Sequence, residues 1–230
     1  MKKSLFITFE GPEGSGKSTQ AKILVEALRS QGVPVVHTRE PGGTPIAEAV
    51  RRVLLHPNGR VAPMTELFLY EAARAQHLAD IVRPALEQGR VVVCERYTDA
   101  TEAYQGHGRG LNVKDIALLN RVATDGLKPD ITFLLDVPPA QGLRHARTLS
   151  KRLSKTGKVA KGGDRMERQP LAFHRRVRAG YLQLARRDSR RIQVIPWGQS
   201  VEKVHAVVLG ATLKHLPTRS RQKSPVQVRT

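Results

Sequence analysis

The chain has 230 residues, 40% hydrophobic and 26% charged, with a formal net charge of +19. That length suits one domain with a sizeable core. No apolar run approaches the ~18 residues of a membrane span, and Met1-Lys2-Lys3 leads straight into a strand-like segment with no signal-peptide core, so the expectation is a cytoplasmic protein with no membrane partner. The single cysteine, Cys94, excludes internal disulfides and a cysteine-built metal site, and reads as core. The charge is concentrated: residues 143–191 hold sixteen Lys/Arg against three Asp/Glu, residues 214–230 hold five against none, and the remainder is nearly neutral. This is not the pattern of a uniformly basic nucleic-acid binder.

In chain order, the apolar run 5–9 reads as a strand that ends in glycines, and Ile23, Leu24, Ala27 and Leu28 recur at helical spacing after it. Gly32 closes that helix, and 33–37 reads as a second strand. Helices are predicted at 46–55 and 64–87, the latter ending before Gly89. A buried strand follows at 91–94, with further strands at 131–136 and 192–195. Between and after them come helices at 113–124, 139–147, 170–187 and 201–213. Five apolar strands alternating with helices predict an α/β fold, a doubly wound parallel sheet with helices on both faces. Residues 148–163 are poor in apolar residues and rich in Lys, Ser and Gly, and 217–230 are polar and aperiodic. The reading is one domain over 1–213 with a mobile basic lid at about 148–167, and a basic tail, 214–230, expected to be disordered.

Gly11-Pro12-Glu13-Gly14-Ser15-Gly16-Lys17-Ser18 satisfies G-x-x-x-x-G-K-[ST] between a strand and a helix, the setting a phosphate-binding loop requires. Its backbone N–H groups can surround phosphates, Lys17 reaches the β/γ oxygens, and Ser18 can ligate Mg²⁺. The loop implies only a nucleoside triphosphate; the acceptor must be read elsewhere. Thr38-Arg39-Glu40-Pro41-Gly42-Gly43-Thr44 follows the second strand and Glu95-Arg96-Tyr97 the third, which puts two arginines at the carboxyl edge of the sheet, suited to a second phosphate. Glu95, ending an apolar strand, needs a metal-bound water or an arginine as partner.

Together with Tyr70-Glu71-Ala72-Ala73-Arg74-Ala75-Gln76-His77, Ala103-Tyr104-Gln105-Gly106 and Asp164-Arg165-Met166-Glu167, these segments resemble the thymidylate kinase family over about residues 4–210. The resemblance implies a P-loop kinase that phosphorylates dTMP with ATP and Mg²⁺ and pairs as a homodimer through long helices such as 65–86. It implies that Arg39 and Arg96 hold the dTMP phosphate and that Glu13 reaches the deoxyribose 3'-hydroxyl. Arg74 then bonds a thymine carbonyl, Tyr70 stacks on the base, and Thr101 and Gln105 meet the pyrimidine edge, while Tyr104 crowds the 2' position. Ser18 and Glu95 hold Mg²⁺, partly through water. Lys17, Glu95 and Arg96 share the transfer site with a lid arginine, for which Arg147, Arg152 and Arg165 are the candidates. The chain departs from the family pattern at Glu95, usually aspartate, at Ala100, usually serine, at Tyr70, usually phenylalanine, and in a longer, lysine-rich stretch between Arg147 and Asp164. No base is required, because a nucleotide phosphate is already ionised at neutral pH. The alternatives are a kinase of another pyrimidine nucleotide or a deoxynucleoside, a relative that binds without turnover, and a nucleic-acid-binding NTPase. The last is disfavoured by an aromatic content of 4% with no aromatic residue from 148 to 167.

Overall fold

Every residue of β1 (Leu5–Glu10) is buried, which requires cover on both faces and a paired strand on both edges. Both are present in the computed structural model, which describes residues 4–57, 59–154 and 164–216. β1 pairs with β3 (Val91–Glu95) and β4 (Ile131–Leu135), and β2 (Val35–Arg39) and β5 (Ile192–Ile195) complete an all-parallel sheet in the order β2-β3-β1-β4-β5. This is the five-stranded, doubly wound α/β fold that the strand–helix alternation predicts.

The two-residue period of the strands sorts the core into two sides. Leu5, Ile7 and Phe9 pack with Leu24 and Leu28 of α1 (Lys17–Ser30) and Val208 of α9 (Val201–His215). On the other face Phe6 meets Leu78, Val82 and Tyr97, and Leu134 meets Phe173, Val177 and Tyr181 of α8 (Leu171–Arg187). Burying each large apolar side chain contributes about 1.5–3 kcal/mol. Cys94 is in this core, as its sequence context implies, and burial pushes its thiol pKa up. Among the described residues no helix is long and apolar enough to cross a membrane.

Several elements differ from the sequence reading. β2 starts at Val35 and runs on to Arg39; Pro34 has no N–H, and only its carbonyl joins the ladder, accepting from Val91 N at 2.9 Å. The helix expected at 64–87 is α3 (Pro63–His77), a π-helical stretch (Leu78–Val82) and α4 (Arg83–Glu87). Pro84, unable to donate, sits at the start of α4, and the wider turns before it accommodate the missing bond. The helix expected to end at Arg147 continues as α7 (Pro139–Ser154). Residues 148–154 contain neither Gly nor Pro, and Lys151 and Arg152 in the last turn suit the negative end of the helix dipole. The amino-terminal part of the expected mobile lid is therefore helix, while 155–163 and the tail at 217–230 lie outside the described residues. A short α5 (Thr98–Thr101) runs into a π-helical stretch (Glu102–Gly108) ahead of α6 (Val113–Thr124), and α2 (Pro45–Leu55) is capped by Thr44.

One buried ion cluster ties α3 to Arg109 and to Arg165, which lies between α7 and α8. Glu66, fully buried, accepts from Gln105 Nε2 at 2.7 Å, Arg109 Nη2 at 3.0 Å and Arg165 Nη1 at 2.6 Å. Replacing Glu66 by Ala strands two guanidinium groups, and a urea titration should read a loss of about 3–5 kcal/mol. Asp125→Asn, which removes the charge of the exposed Arg83 pair and still suits the left-handed backbone there, should leave the urea midpoint nearly unchanged; equal effects would overturn the distinction.

Candidate active site

The strand register builds the site. Arg39 and Phe9 both stand opposite Glu95, so the ends of β2, β3 and β1 lie side by side at the carboxyl edge of the sheet, where ligands of doubly wound folds bind. The phosphate loop leaves β1 there and enters α1. Lys17 Nζ donates to the carbonyls of Gly11 at 2.9 Å and Pro12 at 2.8 Å, and Ser18 Oγ donates to Glu95 Oε2. Burial and the neighbouring Arg96 push the Lys17 ammonium down to about 7, so a triphosphate that brings negative charge is the natural counterpart of this site.

The loop is also clamped from outside by α7. A Cβ on Gly14 would lie 2.0 Å from the Gly142 carbonyl oxygen and 3.0 Å from Ala146 N, and one on Gly142 would lie 2.2 Å from the Glu13 carbonyl oxygen. Gly14 also takes a φ of +66°, which L side chains disfavour. Two glycines from distant parts of the sequence thus let the phosphate loop and the second turn of α7 touch backbone to backbone.

Beside the loop opens a cleft lined by charged and aromatic side chains. It collects Glu13, Tyr70, Arg74, Arg96, Thr101, Tyr104 and Gln105 from the sequence-derived set. Arg96 Nη2 donates to Glu13 Oε1 at 2.8 Å and to Tyr104 Oη at 3.0 Å, and Tyr104 Oη donates to the same Glu13 oxygen at 2.8 Å. Burial raises the Glu13 carboxyl pKa, but Arg96 and Lys17 outweigh it and hold the group at about 2. Burial and Asp99 push Glu10, directly behind the loop, up to about 7.

Three of the expected site residues have partners that the sequence did not indicate. Arg39 does not line the cleft: it ends the edge strand, is half exposed, and donates to Glu48 Oε1 at 2.8 Å. Arg51 of α2 lines it in its place, anchored on the Pro41 carbonyl at 2.9 Å. Among the described residues Glu95 has no arginine partner; it meets Ser18 and, at 3.2 Å, His37 Nε2. Burial raises its pKa, and the His37 and Ser18 hydrogen bonds bring it below the usual value. Arg165, a candidate lid arginine, is turned into the structure, with Nη1 on Glu66 and Nε on the Leu54 carbonyl at 2.8 Å. Arg147 and Arg152 are both exposed on α7. Arg74 is 2% exposed, and all five of its N–H donors are engaged: Nε on Glu40 at 2.8 Å, Nη1 on Glu71 and Asn120, and Nη2 on the Tyr97 carbonyl and Thr101 Oγ1. Sequence reasoning missed Glu40 and Asp164, which also line the cleft. Glu40 stands inside the Thr-Arg-Glu-Pro motif, so only its partner, a buried arginine, was hidden.

The chain matches the family model described as Thymidylate kinase over residues 9–208. It belongs to the thymidylate kinase family. It is 50% identical over 212 residues to a thymidylate kinase of Geotalea uraniireducens, covering 92% of this chain and 97% of that one. To one from Syntrophotalea carbinolica it is 49% identical over 202 residues, 87% and 91% of the two chains. A crystal structure of thymidylate kinase from Ehrlichia chaffeensis superposes with a TM-score of 0.71 at 35% identity, over 91% of this chain and 98% of that one.

In this member of the family the Glu13–Arg96 pair should be visible in the pH dependence of stability. Because the Glu13 carboxyl lies at about 2 in the folded state against 4.5 as the ordinary value, its contribution is complete above that value and is lost as pH falls towards 2. Thermal midpoints of the wild type and Glu13→Gln, compared from pH 7 to pH 2.5, should therefore converge on acidification. A gap that is constant with pH would contradict the pairing.

Proposed function

We propose that this protein transfers the γ-phosphoryl group of ATP to dTMP, giving ADP and dTDP. The observation that carries the reading is the abutment of a phosphate loop and a cleft lined by charged and aromatic side chains, joined by Arg96 and Glu13. The triphosphate occupies the loop, with Lys17 exchanging the Gly11 and Pro12 carbonyls for phosphate oxygens. Arg96 holds the acceptor phosphate, and Arg39 reaches it from the rim on releasing Glu48. Glu13 accepts from the sugar 3'-hydroxyl, and Tyr104 occupies the space of a 2'-hydroxyl. The pyrimidine lies against Tyr70, with Thr101, Gln105 and Arg74 along its edge; Arg74 serves it by sharing the donor now given to Thr101.

The oxygen donors of Ser18 and Glu95 fit Mg²⁺, which keeps several waters and needs few protein ligands. Among the described residues no group of three His, Cys, Asp or Glu side chains forms a metal cage. Bound there, Mg²⁺ supplies charge neutralisation between the phosphates. Positioning and electrostatics carry the rest, and Arg147 is the lid arginine of choice. Its neighbour Ala146 lies against Gly14 of the phosphate loop, whereas Arg165 is engaged by Glu66.

A coupled ATP assay with dTMP, dUMP, dCMP, the thymine ribonucleotide and thymidine tests the reading: dTMP should give the highest kcat/KM. Lys17→Ala and Arg147→Ala should each lower kcat at least about 10²-fold, the scale of one preorganised transition-state donor, and Arg152→Ala should not. Preference for another acceptor, or a Lys17→Ala variant keeping a tenth of wild-type kcat, would sink the assignment. A collapse in Arg152→Ala alone would move the lid arginine to that position.

The same reading includes a homodimer. Met64 and Phe68 on α3, with Ala72, Ala75 and Ala79, form an exposed apolar stripe at helical spacing. On the adjacent α6, Leu118 and Val122 are 61% and 70% exposed. Side chains of this size left in water on two packed helices suit a second copy of the chain. Sedimentation should give twice the chain mass, and Leu118→Glu should reduce it to the monomer; a monomeric wild type would refute the dimer.

A further inference from the structure

Arg96 has a φ of +68°, and a non-glycine residue keeps left-handed backbone only where its surroundings enforce it. The enforcing groups are specific. Arg96 N donates to the Phe9 carbonyl at 2.9 Å, and the next amide, Tyr97 N, donates to Glu10 Oε1 at 2.7 Å. At the other end of the residue, Arg96 Nη1 donates to Tyr181 Oη at 3.1 Å, and that hydroxyl donates to Glu10 Oε2 at 2.7 Å. One carboxylate therefore holds Arg96 from two sides: Oε1 fixes the peptide that follows it, through Tyr97 N, and Oε2 reaches its guanidinium through Tyr181.

The two halves of the guanidinium environment differ. Nη2 faces Glu13 and Tyr104, which line the cleft and must rearrange when a nucleotide enters. Nη1 faces Tyr181, which is 2% exposed and, like Glu10, is not part of the cleft wall. Glu10 is fully buried on β1, one residue before the phosphate loop, so what it holds is fixed to the strand that carries that loop.

We infer that Glu10 and Tyr181 are positioning residues for acceptor binding, which keep Arg96 at a set distance from the phosphate loop while Glu13 and Tyr104 exchange partners. The inference rests on the reading that Arg96 holds the acceptor phosphate. Neither residue touches substrate in this scheme. Their effect passes through Arg96 alone, so it should fall on acceptor binding and leave the donor site untouched.

Tyr181→Phe keeps the ring and its edge contact with Tyr104 and removes only the hydroxyl. It should raise KM for dTMP about tenfold, the scale of one hydrogen bond to a charged group, while KM for ATP stays near wild type. Glu10→Gln, which keeps an acceptor for Tyr97 N but weakens the tyrosine link, should shift KM for dTMP the same way. The double variant should be no worse than the stronger single one, because both act on one path. Arg96→Ala serves as the reference. If it raises KM for dTMP while Tyr181→Phe and Glu10→Gln leave it unchanged, or if the two effects simply add, the inference fails and the assignment of Arg96 stands. If Arg96→Ala leaves KM for dTMP unchanged, the assignment fails and takes the inference with it.

Discussion

A guanidinium taken out of water must meet a carboxylate, and the site of this protein is organised by that requirement. Arg74 is met by Glu40 and Glu71, Arg96 by Glu13, Arg109 and Arg165 by Glu66, and Arg191 by Asp99 through two hydrogen bonds of 2.7 and 2.9 Å. Most of these pairs join elements far apart in the chain, so each fixes one element against another while it satisfies its own charge. The cleft lies among them. Its polar wall is stiff because each charged group already has a partner, and charge recognition there proceeds by exchange of partners within a preorganised frame.

Positions are transmitted by backbone contact as well as by charge. Gly14 and Gly142 bring the phosphate loop and α7 closer than any side chain would allow. Because α7 continues in one piece from that contact to Ser154, the arginines on its second half are placed by a rigid rod whose foot rests on the loop. Glu66 holds the other flank of the same segment through Arg165. The phosphate loop and α7 are thus held together, although more than a hundred residues separate them in sequence.

The fold was legible wherever a local pattern carried it. Five short apolar strands separated by amphipathic helices leave only a parallel sheet covered on both faces, and the phosphate loop has a fixed strand–loop–helix setting. The boundaries that went unread were those set by tertiary context. The π turns accommodate the bond that Pro84 cannot donate, and they leave Leu78 and Val82 packed against the sheet. The continuation of α7 past Arg147 was masked by the segment's polar composition, although nothing in 148–154 breaks a helix.

Of the site, the sequence determined which chemistry is present: a phosphate loop, arginines and a glutamate at strand ends, and a helix bearing Tyr70 and Arg74. Motifs report residue types in local order, and local order follows from φ/ψ preferences and periodicity. Which of those residues face one another was decided only by the tertiary structure. That Arg96 and not Arg39 faces Glu13, that Glu95 meets His37, that Arg165 turns to Glu66, and that Glu10 reaches Arg96 through Tyr181 are pairings across as many as 171 positions. They are selected by burial, since in a shared low-dielectric interior each donor and each charge must find its complement.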